Sequence, residues 1–262
     1  MPINPVDPRP PSQQIADDVR AEIEAGRIPS GGRLPSTSEL AARYGVTRET
    51  IRQAIARLKS AGIVSSRQGS GVFARPRPAM KRLGINRYAK SLWRDTGIVA
   101  FAADREASSR TWSPGDQTQT VSEVAADPQV AEAFGVEPGT RMYERARLVA
   151  EQGVPTHTLT SYYRPSDVEG TRLVDAAPGP AGRGGGFAVL TEQGLEPHEI
   201  QEDLTARMPT PREVQTLRLP PGEPIVELHR TTYTADGRVI EFARGVHSAS
   251  HFTWSYKFKI PE

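Results

Sequence analysis

Two runs of apolar residues at helical spacing lie close together near the start of the chain. Leu40 and Ala41 supply the apolar face of a short predicted helix that ends near Tyr44. The next predicted helix carries one apolar stripe, made of Ile51, Ala54, Ile55 and Leu58. A longer helix is predicted from Ser12 to just before Gly26, on the apolar residues Ile15, Val19, Ala21 and Ile23.

Local residue types agree with this division into helices. Ser36 followed three residues later by Glu39 is a capping box, which predicts the start of the shorter helix. Gly45 suits the left-handed turn after that helix, and Thr47 is a good N-cap for the next one. The segment therefore reads as a helix-turn-helix.

A short hairpin is predicted directly after the helix-turn-helix. Two apolar pairs, Ile63-Val64 and Val72-Phe73, flank the glycine-rich tip Gly69-Ser70-Gly71. Helix-turn-helix plus hairpin is a winged helix-turn-helix, whose second helix enters the major groove of DNA. Four polar residues of that helix lie off its apolar stripe and have side chains suited to base edges, namely Arg48, Glu49, Arg52 and Gln53. Arg67 and the tip suit phosphates or a minor groove, so we expect double-stranded DNA as a partner.

The pattern changes after Gly97 to short strands interspersed with short helices. Strands are predicted over 98–101, 142–149, 155–163, 200–206, 225–234 and 238–246, and helices over 130–134, 187–193 and 211–217. Helices among antiparallel hairpins indicate an α+β domain. The fold class expected for the whole chain is thus α+β with two domains.

Length and charge support two domains of different character. Residues 1–94 contain 17 Lys and Arg against 7 Asp and Glu, whereas the rest contains 16 against 24. A basic front and an acidic back fit a DNA-binding module joined to a domain that does not touch DNA. We expect a winged helix-turn-helix over 1–77, a linker over 78–95 and a second domain over 96–262, to which the resemblance described below assigns effector binding and dimerisation. The basic linker either follows the DNA backbone or is a solvated connector.

The absence of cysteine and of long apolar runs limits the possible cellular compartments and types of chemistry. There is no cysteine, so disulfides, thiol catalysis and cysteine metal sites are excluded. No apolar run reaches membrane-spanning length, and the N-terminus lacks a signal-peptide core. We therefore expect a cytoplasmic, nucleoid-associated protein with no membrane partner, no metal and no cofactor.

The N-terminal quarter resembles the GntR family of bacterial transcription regulators. The matching phrases include Gly32-Arg33-Leu34-Pro35-Ser36, Gly45-Val46-Thr47-Arg48, Thr50-Ile51-Arg52 and Arg67-Gln68-Gly69-Ser70-Gly71. The resemblance implies DNA contacts from Thr47, Arg48, Arg52 and Gly69. Family members usually carry an arginine at the position of Ser38, so that contact is either lost here or replaced by Arg33 or Arg43. The full predicted DNA-binding set is Arg33, Ser36, Ser38, Thr47, Arg48, Glu49, Thr50, Arg52, Gln53, Arg67, Gln68, Gly69 and Ser70.

The C-terminal part, from about residue 95 to 260, resembles the UTRA effector domain of the HutC subfamily, which shares its fold with chorismate lyase. Pro138-Gly139, Tyr162-Tyr163 and Leu219-Pro220-Pro221-Gly222 carry the resemblance, with Arg230 and Asp236-Gly237. It implies an anion clamp of Arg145 and Arg147, closed by Glu241. The predicted effector-binding set is Phe101, Arg145, Arg147, His157, Ser161, Gly185, Gly186, Glu241 and His247.

Elementary geometry agrees with a clamp but leaves an alternative open. Arg145 and Arg147 lie two residues apart on a strand and so point to the same side, where they can hold a phosphate or a carboxylate. Alternatively, that face is solvated, or the arginines pair with Glu144, Glu151 or Glu241. Backbone N–H groups at the predicted helix start near Gly185 can also bind an anion.

The function expected from all of this is a homodimeric, ligand-responsive repressor. It would read a pseudo-palindromic operator and be released by a small, anionic effector of unknown identity. Three alternatives remain: a constitutive regulator without a ligand, a lyase-like enzyme, and a metal sensor that uses His247 and His251.

Overall fold

The first seventy-five residues form three helices and a hairpin, as their capping residues and apolar stripes predict. The computed structural model describes residues 3–4, 6–67, 69–75, 80–151, 153–177 and 179–257. Within this part of the chain, the N-terminal elements are α1 (Pro11–Glu24), α2 (Thr37–Tyr44), α3 (Arg48–Ser60), β1 (Val64–Arg67) and β2 (Gly71–Ala74). The strands β1 and β2 pair antiparallel, as the hairpin prediction requires.

The predicted capping residues are confirmed atom by atom. The Glu39 N–H donates to Ser36 Oγ at 3.2 Å, and the Ser36 N–H donates to Glu39 Oε2 at 2.7 Å. Gly45 ends α2 with φ at 68°, and the Thr47 hydroxyl accepts a hydrogen bond from the Thr50 N–H at the start of α3. The predicted apolar stripe of α3 packs with α1, α2 and β1 into one core around Ile15, Leu40, Ile51, Leu58 and Val64.

The chain divides into two units, Met1–Arg77 with Leu219–Pro224, and Pro78–Arg218 with Ile225–Glu262. The second unit contains the helices α4 (Ala100–Ala107), α5 (Pro128–Phe134), α6 (Pro165–Val168), α7 (Gly185–Glu192) and α8 (Pro211–Leu217). Its strands are β3 (Met80–Arg82), β4 (Gln117–Ala125), β5 (Arg141–Glu151), β6 (Val154–Tyr163), β7 (Glu199–Arg207), β8 (Ile225–Tyr233), β9 (Val239–Ser248) and β10 (Phe252–Trp254).

An antiparallel sheet organises the second unit. Within the described residues it has six strands in the order β4-β5-β6-β9-β8-β7. Side chains alternate between its two faces, so the apolar residues form two cores. Met142, Tyr162 and Phe242 pack under α5 on one face, and Tyr163, Leu173 and Leu190 pack under α7 on the other.

The strand prediction over 98–101 is wrong. Val99 precedes α4, and the run continues as a helix with Ala102 and Ala103 buried. A short apolar run has no period of its own, so it fits a buried helix as well as a strand. The pattern also failed to predict β4, whose mostly exposed residues follow the edge of the sheet.

The linker predicted over 78–95 is also wrong. Met80–Arg82 forms β3, which pairs in parallel with β10. A 3-10 helix over Gly84–Tyr88 and a π-helix over Leu92–Thr96 follow it. Arg82, Arg87 and Trp93 are buried, so this basic segment is part of the second unit. The expectation failed because these arginines are neutralised by acids far away in the sequence.

Candidate functional site

The first candidate surface lies on the N-terminal half of α3. Arg48, Glu49, Arg52 and Gln53 are exposed, as expected for residues off the buried stripe. Arg52 and Glu49 form an ion pair of 3.1 Å with 67% and 64% of their side chains exposed. Breaking an ion pair that is this exposed costs little free energy. Both side chains therefore remain available to base edges.

Residues around the turn and the hairpin extend this surface. Ser36, Ser38 and Arg33 are exposed, as are Gly69 and Ser70 at the hairpin tip, while Thr50 is half-buried beside the Thr47 cap. The Leu34 N–H donates to the Val72 carbonyl at 2.8 Å, which places Arg33 beside β2. Gln68 and the side chain of Arg67 lie outside the described residues.

Arg43 and Arg33 are both exposed, so both stay candidates for the contact that family members make at the position of Ser38. The Arg43 guanidinium also donates to both carboxylate oxygens of Glu22, a residue of α1 that is buried. Asp18 lies 3.9 Å from the same guanidinium. Arg43 therefore links α2 to α1, whereas no such ion pair involves Arg33 in the described residues.

The second candidate site is a cavity inside the second unit, between the sheet and the segments before α4 and α7. We call it the arginine cavity. Its volume is about 100 Å³, enough for a small ligand group or several water molecules. Its wall includes Arg82, Arg87, Tyr88, Trp93, Phe101, Arg145, Arg147, His157, Tyr163, Gly184, Gly185, Gly186, Phe187, Arg230, Glu241 and His247.

Arg145 and Arg147 point into the arginine cavity from β5. Arg145 is buried and donates to the carbonyl oxygens of Leu173 and Asp175, at 3.0 and 2.6 Å. Arg147 donates to the Leu159 carbonyl at 3.2 Å and to the Ser161 hydroxyl. Burial lowers the pKa of both guanidinium groups, and that of Arg145 is lowered further by Arg147. Within the described part of the chain, neither has a carboxylate within ion-pair distance, although Asp175 and Glu241 act on them electrostatically from further away.

Glu241 is enclosed by donors from the protein itself. Its carboxylate accepts hydrogen bonds from Ser161 at 2.6 Å, Tyr163 at 2.9 Å, Arg230 at 2.8 Å and Thr232 at 3.2 Å. Burial raises its pKa, but Arg230, Arg147 and these hydroxyl groups outweigh burial and hold the pKa at about 2. Glu241 is thus ionised at neutral pH and neutralises Arg230.

Two histidines stack on the same wall. His157 of β6 lies directly opposite His247 of β9 in the antiparallel register, and their rings are 4.8 Å apart and 6° from parallel. Burial lowers the pKa of both well below the usual value; neighbouring arginines add to the effect at His157, and His157 adds to it at His247. Both imidazoles are therefore neutral at pH 7.

The glycine loop before α7 closes another side of the arginine cavity. A Cβ at Gly184 would lie 2.4 Å from the Trp93 carbonyl, and one at Gly185 would lie 2.7 Å from Val99 Cγ1. Glycine is needed here for both space and positive φ, which is 78° and 66°. No side chain caps the N-terminus of α7, so its amide groups add positive potential to this wall.

The structure brings together eight of the nine predicted effector-binding residues around one cavity. Ser161 is the exception, because it is wholly buried behind the wall, where it links Arg147 to Glu241. Sequence reasoning missed Arg82, Arg87 and Trp93, since their segment looked like a solvated connector. It also missed Arg230 as a residue of the cavity wall. The alternation of buried and less buried residues along β8 would have indicated that Arg230 lies on the buried face.

A winged helix-turn-helix joined to a second domain with a charged cavity is typical of one class of proteins. These are transcription regulators with a separate ligand-binding domain. Family comparison then matches residues 11–74 to the bacterial regulatory proteins of the gntR family and residues 111–253 to the UTRA domain. The chain belongs to the GntR family, in its UTRA-containing HutC branch, and is a DNA-binding transcription regulator.

Individual relatives agree with this assignment. An uncharacterised HTH-type transcriptional regulator of Streptomyces coelicolor is 49% identical over 253 residues, which cover 97% of this chain and 94% of the relative. The histidine utilization repressor of Pseudomonas aeruginosa is 26% identical, over 96% of this chain and 92% of its own. A crystal structure assigned to the GntR family has the same fold, with a TM-score of 0.64 and 24% identity over 97% and 99% of the two chains.

The described residues contain neither a candidate membrane span nor a candidate metal site. No helix there is long and apolar enough to cross a membrane. Nor do three or more acidic or histidine side chains in that part of the chain form a group that could hold a metal ion.

Proposed function

We propose that this regulator is a repressor that binds a pseudo-palindromic operator as a homodimer and is released by a small metabolite with about two negative charges. The metabolite binds in the arginine cavity. The effector weakens DNA binding by favouring a state of the dimer in which the two reading helices no longer match the half-sites. The name of the P. aeruginosa relative supports repression.

The charge balance of the arginine cavity carries this proposal. Five arginines line it, namely Arg82, Arg87, Arg145, Arg147 and Arg230. Three of them are paired with acids: Arg82 with Glu202, Arg87 with Asp104, and Arg230 with Glu241. The two left over are Arg145 and Arg147. A buried cavity with two guanidinium groups that lack an ion-pair partner is best filled by a dianion, such as a phosphate monoester or a dicarboxylate.

Unpartnered nitrogen atoms support the same ligand chemistry. In the described residues, five residues of the cavity wall have a buried nitrogen without a hydrogen-bond partner: Arg82 Nε, Arg87 Nε, Trp93 Nε1, Arg230 Nε and His247 Nδ1. Buried donors are normally satisfied, and leaving one unsatisfied costs about 1–3 kcal/mol. A ligand rich in acceptor oxygens would satisfy the arginine and tryptophan N–H groups.

Sensing is a better fit than catalysis. The Glu241 carboxylate is fully engaged with protein donors, and its pKa of about 2 makes it a poor general base at neutral pH. Arg145 and Arg147 can hold an anion by charge and hydrogen bonds without taking part in proton transfer. We therefore assign no catalytic role to the arginine cavity.

The edge strand β7 supports self-association through the second unit. Most of its residues are exposed, and Leu204 in the strand and Met208 directly after it present 37% and 61% of their surface. An exposed, partly apolar sheet edge is a surface that proteins normally cover. We assign it to the dimer, which sedimentation of the full chain and of Leu204→Glu would test.

A thermal-shift screen of the full chain tests the proposed ligand class. Phosphate monoesters and dicarboxylates form one half of the library, and their neutral or monoanionic analogues form the other. We expect dianions to raise the melting temperature of the second unit in a saturable way. The three tryptophans, Trp93, Trp112 and Trp254, all lie in that unit, so their fluorescence reports its unfolding selectively.

The Arg145→Gln/Arg147→Gln double variant is the test of the site. It should lose the stabilisation by dianions and still bind DNA. Its matched control is Arg141→Gln, on the same strand but with an exposed guanidinium paired with Glu123. Equal stabilisation by dianions and neutral analogues, or an unchanged response in the double variant, would refute the anion site.

A further inference from the structure

Three of the unpartnered nitrogen atoms belong to one short segment, Met80 to Trp93, which sequence patterns had indicated as a linker. We propose that Arg82, Arg87 and Trp93 of this segment donate hydrogen bonds directly to the bound anion. The inference rests on the proposed function of the arginine cavity. It adds a second ligand-binding element to the arginine pair on β5, and one that follows the first unit directly along the chain.

Both arginines donate through their Nη groups to protein partners, which include the Tyr88 hydroxyl at 3.1 and 3.3 Å, and only their Nε atoms lack an acceptor in the described residues. Arg82 donates through Nη1 and Nη2 to Glu202, at 3.1 and 2.6 Å, while its Nε has no acceptor in the described residues. Arg87 lies 3.0 Å from Asp104 through Nη2, and its Nε is equally unpartnered there. Both side chains are at least nine-tenths buried and line the arginine cavity. An acceptor in the cavity would complete both guanidinium groups.

Trp93 contributes a donor that carries no charge. Its side chain is 5% exposed, and its Nε1 has no acceptor among the described residues. The ring packs edge-on against Phe187 with centroids 6.2 Å apart, and the Trp93 backbone is in close contact with Gly184. The indole is thus fixed by α7 and its glycine loop. A tryptophan N–H is a donor only, so it discriminates for an acceptor on the ligand.

The backbone of the segment is held mainly by short elements, while Tyr88 and Lys90 add side-chain contacts to Glu202 and Glu196. β3 is three residues long and pairs with β10, and Asp104 accepts the Leu83 N–H at 2.9 Å. Short 3-10 and π-helices follow, and these have weaker hydrogen-bond geometry than an α-helix. Additional bonds from Arg82, Arg87 and Trp93 to an anion would therefore reduce local opening of residues 80–93.

Calorimetry on the full chain with inorganic phosphate as the probe tests the direct contacts. Trp93→Phe removes the N–H and keeps an aromatic ring, and Trp112→Phe is its matched control, because Trp112 lies outside the cavity wall and donates to Glu106. Arg87→Lys keeps the charge beside Asp104 and removes Nε, with Arg110→Lys as control at the Arg110–Glu151 pair. We expect phosphate binding to weaken about tenfold in Trp93→Phe and in Arg87→Lys, as for loss of a hydrogen bond to a charged group.

Hydrogen exchange gives a second readout that does not depend on the variants. Phosphate should slow amide exchange over residues 80–93 in the wild type, and this protection should be absent in Arg145→Gln/Arg147→Gln. Protection confined to β5 and β6, or unchanged phosphate affinity in both Trp93→Phe and Arg87→Lys, overturns the inference and leaves the arginine pair as the site. No phosphate binding by the wild type overturns phosphate as the ligand and this inference with it, while the dicarboxylates of the thermal-shift screen still test the dianion site.

Discussion

The buried ion pair of Arg230 and Glu241 gives the sharpest stability prediction. Replacing Glu241 by Gln removes the only carboxylate within ion-pair distance of Arg230 in the described residues. Both side chains are 6% exposed or less, so the remaining guanidinium would stay buried without its counter-charge. Breaking a buried pair in this way costs about 3–5 kcal/mol.

The pKa of Glu241 supports the same magnitude. It falls from an ordinary 4.5 to about 2 in the folded protein. At about 1.4 kcal/mol per pKa unit, this difference corresponds to roughly 3 kcal/mol of stability at neutral pH. Because the folded-state pKa is lowered, the contribution is complete above pH 4.5 and is lost as the pH falls toward 2.

Urea unfolding followed by tryptophan fluorescence measures this loss at pH 7. Glu241→Gln should lower the free energy of unfolding of the second unit by about 3 kcal/mol. Glu123→Gln is the matched control, because Glu123 pairs with Arg141 on the same sheet with 50% and 52% of the side chains exposed, and it should change little. Equal losses in the two variants would refute the reasoning from burial.

Three further predictions concern DNA reading, pH and the glycine loop. Arg48→Ala and Arg52→Ala should each remove about 1–3 kcal/mol of discrimination between operator and random DNA, measured by fluorescence anisotropy; unchanged discrimination would mean that another element reads the bases. The lowered pKa values of His157 and His247 mean that the unfolded chain takes up protons first below pH 6.5. Unfolding free energy should therefore decrease by up to about 1.4 kcal/mol per pH unit for each histidine as the pH falls, and His157→Phe should flatten this slope in urea titrations from pH 7.5 to 5.5. Gly184→Ala should lower the melting temperature, because its Cβ would lie 2.4 Å from the Trp93 carbonyl; an unchanged melting temperature would contradict the close approach.

The DNA-reading unit was largely predictable because its signals are local. A capping box, a turn glycine and an N-cap each depend on residues within four positions, and all three occur in the structure at Ser36, Gly45 and Thr47. The recognition face follows from the same helix period that buries Ile51. The ion pair between Arg43 and Glu22 was not predicted, because Glu22 lies on another helix.

The arginine cavity was predictable only in part, for the same reason. Spacing on one strand indicated Arg145 and Arg147, since period two places them on one face. The role of residues 80–93 depends on Glu202 and Asp104, which lie 120 and 17 residues away from Arg82 and Arg87 along the sequence. A sequence pattern predicts that a basic segment is solvated, because it contains no information on acidic residues that only the fold places next to it.

Operator binding in the presence of the effector tests most directly whether a dianion in the arginine cavity releases this regulator from DNA. DNA sites selected in vitro from random duplexes with the full chain provide the operator, and anisotropy then gives its dissociation constant while the most stabilising dianion of the thermal screen is titrated in. We expect a 5–150-fold loss of operator affinity in the wild type, the usual range of allosteric coupling, and none in Arg145→Gln/Arg147→Gln. An operator affinity that stays constant in the wild type at saturating dianion would contradict it.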